Sequence, residues 1–440
     1  MYYHETMSAI VKATMACGEI VDAETAIVRD ASGRLSIVRK SFNDAAALKS
    51  KVREDLGPYA TDLAVVEAGL AEAILRKPQS SRRTIYIEGC EEPVTYTYVD
   101  NRVVGEDWLG TGPVQRENVG AKRFTFYSLK GGVGRSTALA IYAAHLAASG
   151  KKSLVIDLDI EAPGLGSILL PNGKENAGGV PRFGVIDYLL ENGIAGIDPQ
   201  SLSEFVATSP LGSGAIDVLP AVGSETENRP DLFVEKLSRA LTEDYISGEK
   251  YSLTRQVREM IEVFDQAGSY DAILIDARAG FSEISAATLM GLDSHLVLFG
   301  VDQSQTFSGY RYLLSHFIAQ TDFSSEVPSW RERLTFVQSK APGTKKERSS
   351  FRAELFEVCA DTIYDQFSDD DENETELFTF APADMSPFAP HNSTHIRFDS
   401  AFGGFDPLKH EEQLDPELFS GAYAKFINRL DEISGQEAEA

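Results

Sequence analysis

The feature that most constrains this chain is an alternation that begins near residue 123. Short runs rich in β-branched and aromatic residues ("RFTFYS", "KSLVIDLD", "AIDVLP", "YDAILIDA", "SHLVLFGVD", "RLTFVQS", "LFTFAP") are mostly separated by longer stretches with helical character, at 136–149, 231–245, 253–267, 303–320 and 348–366. Strand, helix and strand in that order bring successive strands in parallel, and a parallel sheet has to be covered on both faces. The expected fold is therefore α/β, a mostly parallel sheet sandwiched by helices. Ligands of such sheets sit beyond the carboxyl ends of the strands, so the loops there are where chemistry is sought.

Residues 1–118 read differently. "AETAIVRDASGRLSIVRK" alternates apolar and polar residues around Asp30, Ala31, Ser32 and Gly33, which signals a hairpin, and "RTIYIEG" with "VTYTYVD" makes a second strand pair. With helical stretches at 4–16 and 43–76, this part is expected to be a smaller α+β domain, carrying no catalytic constellation, ahead of a larger domain at 119–440. The Gly-rich and polar segment 109–120 reads as a linker. The acidic run at 368–376 reads as a solvated loop.

Composition excludes several classes. The chain of 440 residues has 41 basic against 67 acidic residues, a formal net charge of −26, which argues against a general affinity for nucleic acid or anionic lipid. Its three cysteines, Cys17, Cys90 and Cys359, are far apart, so no disulfide framework or zinc site is indicated and a cytoplasmic location fits. The most apolar stretch, "ALAIYAAHLAA", is about half of the ~20 residues that cross a bilayer.

One loop carries chemistry. A strand ending at Ser128 runs into Lys130, Gly131, Gly132, Val133, Gly134, Arg135, Ser136 and Thr137, and then into an Ala-rich helix. Glycines let the backbone curl until successive amides point inward, and the helix presents its positive end to an anion, so the arrangement suits a polyphosphate. Ser136 is placed to offer its hydroxyl to Mg2+. The strict GxxxxGK[ST] pattern fails twice, with Leu129 at the first glycine and Arg135 at the lysine. Two further strands end in acids: "SLVIDLDIEAPGL" places Asp157 and Asp159, and "YDAILIDARAGFSE" places Asp276. A Mg·nucleotide site needs one carboxylate to hold the metal's waters and can use another to position the attacking water.

KGGVGRST, followed by IDLD and IDARAG, resembles the ParA/MinD group of deviant Walker-A P-loop ATPases over roughly residues 120–435. The resemblance extends to "GVIDYLLENG", "IDVLPAVGSE" and "SHLVLFGVDQSQTFSGYRYLL". It implies an ATP- and Mg2+-binding P-loop NTPase fold that works as an ATP-sandwiched homodimer. Lys130 then matches the lysine that reaches the partner's phosphates, Gly131 to Thr137 the cradle, and Asp159 the residue that orients the hydrolytic water. Ser136, Asp157 and Asp276 fall to the metal, Gly280 to sensing the γ-phosphate, and Gln338 and Pro382 to the adenine. The iron-protein and tail-anchored-targeting branches need cysteines missing here, and the last helix lacks a MinD-like basic face. "KAPGTKKER", at 340–348, is the one stretch suited to DNA and reads as a solvated loop.

Arginine keeps the charge of the missing lysine but is bulkier, planar and forked, so the exchange is not conservative. It can grip phosphate oxygens bidentately and slow turnover. Two functions stay open: a hydrolysing switch acting on an unidentified partner protein, or a catalytically weak nucleotide-responsive scaffold that recruits the partner through residues 1–118.

Overall fold

The alternation of strand and helix is realised as an eight-stranded sheet in the larger of two units, Met1–Gly110 and Thr111–Ala440. The structure is a computed structural model that describes residues 1–67, 80–90, 92–102, 105–109, 113, 120–171, 179–194, 196–246, 249–321, 329–366 and 377–435. The acidic run 368–376 lies outside the described residues, as does the expected linker apart from Leu109, Pro113 and Gly120.

The first unit has a five-stranded mixed sheet in the order β3-β2-β1-β5-β4, with β1 at Ala26–Arg29, β2 at Leu35–Arg39, β3 at Ala60–Glu67, β4 at Ser80–Ile85 and β5 at Val94–Asp100. The two expected hairpins form, β1 with β2 and β4 with β5, both antiparallel. Helices α1 (Thr6–Ala16) and α2 (Ala45–Leu56) bury Ile10, Val11, Leu48 and Val52 with Ile27, Ile37 and Tyr98 of the sheet. The helix expected over 43–76 stops at Leu56, because Gly57 and Pro58 break it, and the chain returns as β3. The rest of that expectation, 68–76, lies outside the described residues.

The second unit orders its strands β15-β14-β13-β6-β12-β7-β9-β8. They are β6 (Lys122–Ser128), β7 (Ser153–Leu158), β8 (Ala207–Thr208), β9 (Ile216–Leu219), β12 (Ala272–Ala277), β13 (His295–Gly300), β14 (Leu334–Ala341) and β15 (Thr394–Arg397); β10 (Asp244–Ile246) and β11 (Glu249–Tyr251) form a separate hairpin. Every pair in the eight-stranded sheet is parallel except β8 with β9. Alternate residues feed two cores. Ala272 and Leu274 of β12 face one side with helices α3 (Arg135–Ala148) and α10 (Pro416–Ser434), and Ile273 and Ile275 face the other with α5 (Val185–Ile194) and α6 (Leu253–Gly268). Burial on both faces explains why these strands read as continuous apolar runs. Between α3 and α5 lies the short α4 (Leu165–Leu169); α7 (Glu283–Met290), α8 (Ser304–Gln320) and α9 (Lys345–Ala360) complete the layers.

Three boundaries differ from expectation. The helix expected over 231–245 ends at Ala240, and Asp244 begins the β10–β11 hairpin. "LFTFAP" is not a strand: the Asp365 N–H donates to the Phe378 carbonyl, the Phe378 N–H donates to the Asp365 carboxylate, and Phe378 and Phe380 pack around Tyr364. The edge position falls instead to Thr394–Arg397, four residues with too little apolar content to announce a strand. "KAPGTKKER" is a loop only in part, because Thr344 and Glu347 form a capping box that starts α9 at Lys345.

Candidate functional site

Strand β6 delivers the glycine loop to the carboxyl edge of the sheet, with β12 beside it. Gly132 and Gly134 have φ of +75° and +88°, a left-handed backbone open to glycine, and Gly134 is the N-cap of α3. Val133 is buried beneath the turn and anchors it, while Lys130, Gly131, Gly132 and Gly134 are exposed and Thr137 is half-buried. The Ser128 hydroxyl donates to the Lys130 carbonyl at 3.0 Å.

The two residues after Gly134 turn toward the acids. Ser136 donates from Oγ to Oδ2 of Asp276 at 2.5 Å. Arg135 is 7% exposed, with Nε on Oδ1 of Asp276, Nη2 on Oδ2 of Asp159 at 2.8 Å and Nη1 on Oγ of Ser128 at 3.4 Å. The fork thus clamps two strand-end carboxylates from below the loop, and its nitrogens are all engaged. Burial works against its charge, but Asp276 and Asp159 outweigh that and hold its pKa above the ordinary arginine range. Burial pushes the Asp276 carboxyl up despite Arg135 and Ser136, with Asp159 adding to the push.

Asp157 lies directly across from Asp276 in the β7–β12 register. Its carboxylate accepts backbone N–H groups of Asp159 at 3.1 Å, Gly164 at 3.3 Å and Leu165 at 3.1 Å, so it ties down the turn that leads into α4. Burial, then the neighbouring Asp276, raises its pKa. Asp159 is different: its Oδ1 is buried and has no hydrogen-bond partner among the described residues, with Arg278 Nη1 standing off at 3.6 Å. Gly280 has φ of +80° and donates its N–H to the Ser128 carbonyl at 3.0 Å, so the amide expected to sense a phosphate is spoken for.

The two residues expected at the adenine come from elements other than the loop. Gln338 is a buried residue of β14, and the Pro382 carbonyl accepts from Arg352 at 3.1 Å. Gln338 and Arg352 line a cleft that no residue of the glycine loop borders. Two residues were not singled out from sequence: Arg278 and Glu161 form an ion pair at 3.0 Å beside Asp159. Each stands two positions after a strand-end acid, in "IDARAG" and "IDLDIE", and that spacing is the signal that could have found them.

Among the described residues no helix is long and apolar enough to cross a membrane. A mostly parallel sheet whose central strand ends in a glycine loop, with that loop's helix meeting an acid on the adjoining strand, defines an α/β P-loop NTPase fold. Among solved structures the chain is similar to the MinD cell division protein of Aquifex aeolicus, at 15% identity over 72% of this chain and 97% of that one with a TM-score of 0.43. It is similar also to the septum site-determining protein MinD complexed with Mg-ADP from Pyrococcus horikoshii (17%, 73% and 100%, TM-score 0.41) and to a ParA family ATPase from Chlorobium tepidum (19%, 54% and 81%, TM-score 0.37). No protein-family model and no curated protein matches the chain.

Proposed function

We propose that the second unit is a Mg2+-dependent ATP-binding switch of the ParA/MinD type that hydrolyses ATP slowly and acts as a homodimer on a partner protein. The observation that carries this reading is the meeting of the loop hydroxyl of Ser136 with the Asp276 carboxylate at 2.5 Å, next to a buried, unbonded oxygen of Asp159. A hydroxyl and a carboxylate are hard oxygen donors of the kind Mg2+ takes, so these residues fit the metal. Mg2+ bound there supplies charge neutralisation at the phosphoryl oxygens.

The chain's own residues do the rest. The amides of Gly131 to Thr137 bind phosphate oxygens, and Asp159 accepts a proton of the attacking water through Oδ1 and so orients it. Arg135 keeps Asp159 and Asp276 balanced until nucleotide binds, then exchanges one carboxylate for phosphate oxygens. Asp157 stands behind the metal ligands and holds the turn that carries Asp159 and leads into α4. Lys130, exposed at the loop's start, is free to reach a second protomer.

A second reading has an observation of its own. Because Arg135 engages both acids at once, nucleotide binding has to break a buried ion pair, and a protein that binds without turning over would serve as a nucleotide-responsive scaffold. Thermal unfolding with and without Mg·ATP tests the shared claim. Protection of the wild-type protein and its loss in Ser136→Ala are expected; equal melting of both, with and without nucleotide, would overturn the site.

A further inference from the structure

A cleft of about 500 Å3 opens at the edge of the second sheet, between the first half of α9, strands β14 and β15 and the second half of α10. Five cations line it, Lys345, Arg348 and Arg352 from α9 and Lys425 and Arg429 from α10, against one carboxylate, Glu432. In a chain with 41 basic and 67 acidic residues, chance would favour the opposite balance.

The charges are held in place but not neutralised. Arg348 donates through Nη1 to the carbonyls of Pro342 at 2.7 Å and Gly343 at 2.9 Å, and Arg352 through Nη2 to those of Pro382 at 3.1 Å and Asp384. Carbonyls fix a guanidinium without cancelling its charge. Glu432 stands 3.6 Å from Arg429 and is 62% exposed, so even that pair is loose. Among the described residues Lys345, Arg348, Arg352 and Lys425 have no carboxylate within 4.0 Å. The Nε groups of Arg352 and Arg429 are buried without a partner. The crowding shows at His395 on β15, whose pKa is pressed down to about 4 by burial and then by Arg348, Arg397 and Lys425.

Five cations around a concavity, four of them without a carboxylate partner among the described residues, repel one another unless an anion joins them. We propose that this cleft binds a phosphorylated small molecule carrying two or more negative charges, as a second ligand apart from any nucleotide on the glycine loop. A nucleobase alone is uncharged and does not call for this lining, and no residue of 129–137 borders it. The volume is that of a small-ligand pocket rather than of the extended track that follows a nucleic-acid backbone.

The test titrates tripolyphosphate calorimetrically into the full chain saturated with Mg·ADP, with Mg2+ in excess. Expected is one-to-one binding that weakens with salt and, in Lys345→Gln/Lys425→Gln, weakens about tenfold or more. Both lysines are exposed, so melting temperature and ADP affinity should not move. No heat from the wild type, undiminished binding by the double variant, or one-for-one displacement of ADP would each overturn the proposal. So would tighter binding of a 20-base-pair duplex through the same two lysines, which would make the surface a nucleic-acid site.

Discussion

Replacing Arg135 by alanine tests the clamp directly. The Arg135 side chain is 8% exposed and bridges those of Asp276, 2% exposed, and Asp159, 17% exposed. Removing one partner of a buried ion pair leaves its charges uncompensated and costs about 3–5 kcal/mol. For a unit of this size, at roughly 2 °C per kcal/mol, the nucleotide-free protein should melt roughly 6–10 °C lower. Arg135→Lys should recover only part of this, since one ammonium cannot reach both carboxylates as the separate Nε and Nη2 do. The loss should also depend on pH. Burial already raises the folded pKa of Asp276, and without Arg135 it rises further, so the folded state binds more protons than the unfolded one as pH falls. The penalty should therefore be smaller at pH 5 than at pH 8. The assay is urea unfolding at the two pH values. A penalty below about 1 kcal/mol at both, or one that grows toward low pH, would show that Arg135 does not carry the charge of these acids.

Three other outcomes follow from the geometry. His295 is buried against Thr335, and burial presses its pKa down to about 3, so the unfolded chain binds a proton there between pH 6.5 and 3 that the folded chain refuses; stability should fall as pH drops, by about 2 kcal/mol at pH 5, and His295→Gln should lose that much less between pH 7.5 and 5 in urea. Asp157→Asn should speed amide hydrogen exchange at Gly164 and Leu165, whose N–H groups it holds, while Mg·ATP protection survives; loss of protection with unchanged exchange would make Asp157 a ligand rather than a support. Light scattering of Asp159→Ala in Mg·ATP should give a dimer that Lys130→Ala does not form.

Much of this was legible because strand, loop and helix obey short-range rules. The runs at β6, β7, β12 and β13 are buried on both faces and announce themselves by composition, and the glycine loop by its spacing. What sequence hid depends on distant partners. The direction of Arg135 is set by Asp159 and Asp276, 24 and 141 residues away, and nothing within KGGVGRST specifies it. The aromatic run at Leu377 has strand composition, yet Tyr364 and Asp365 claim it. The basic cleft joins residues of "KAPGTKKER" to α10, some 80 positions on, so a stretch that reads as a solvated loop becomes one wall of a pocket.

The central claim is that the glycine loop and its acids form a working nucleotide site, and phosphate release from Mg·ATP tests it most directly. The wild-type protein should release phosphate slowly, and Asp159→Ala should bind Mg·ATP as well while releasing phosphate more slowly by about a hundredfold or more, the low end of what one positioned base contributes. Equal release by the two proteins would contradict the account.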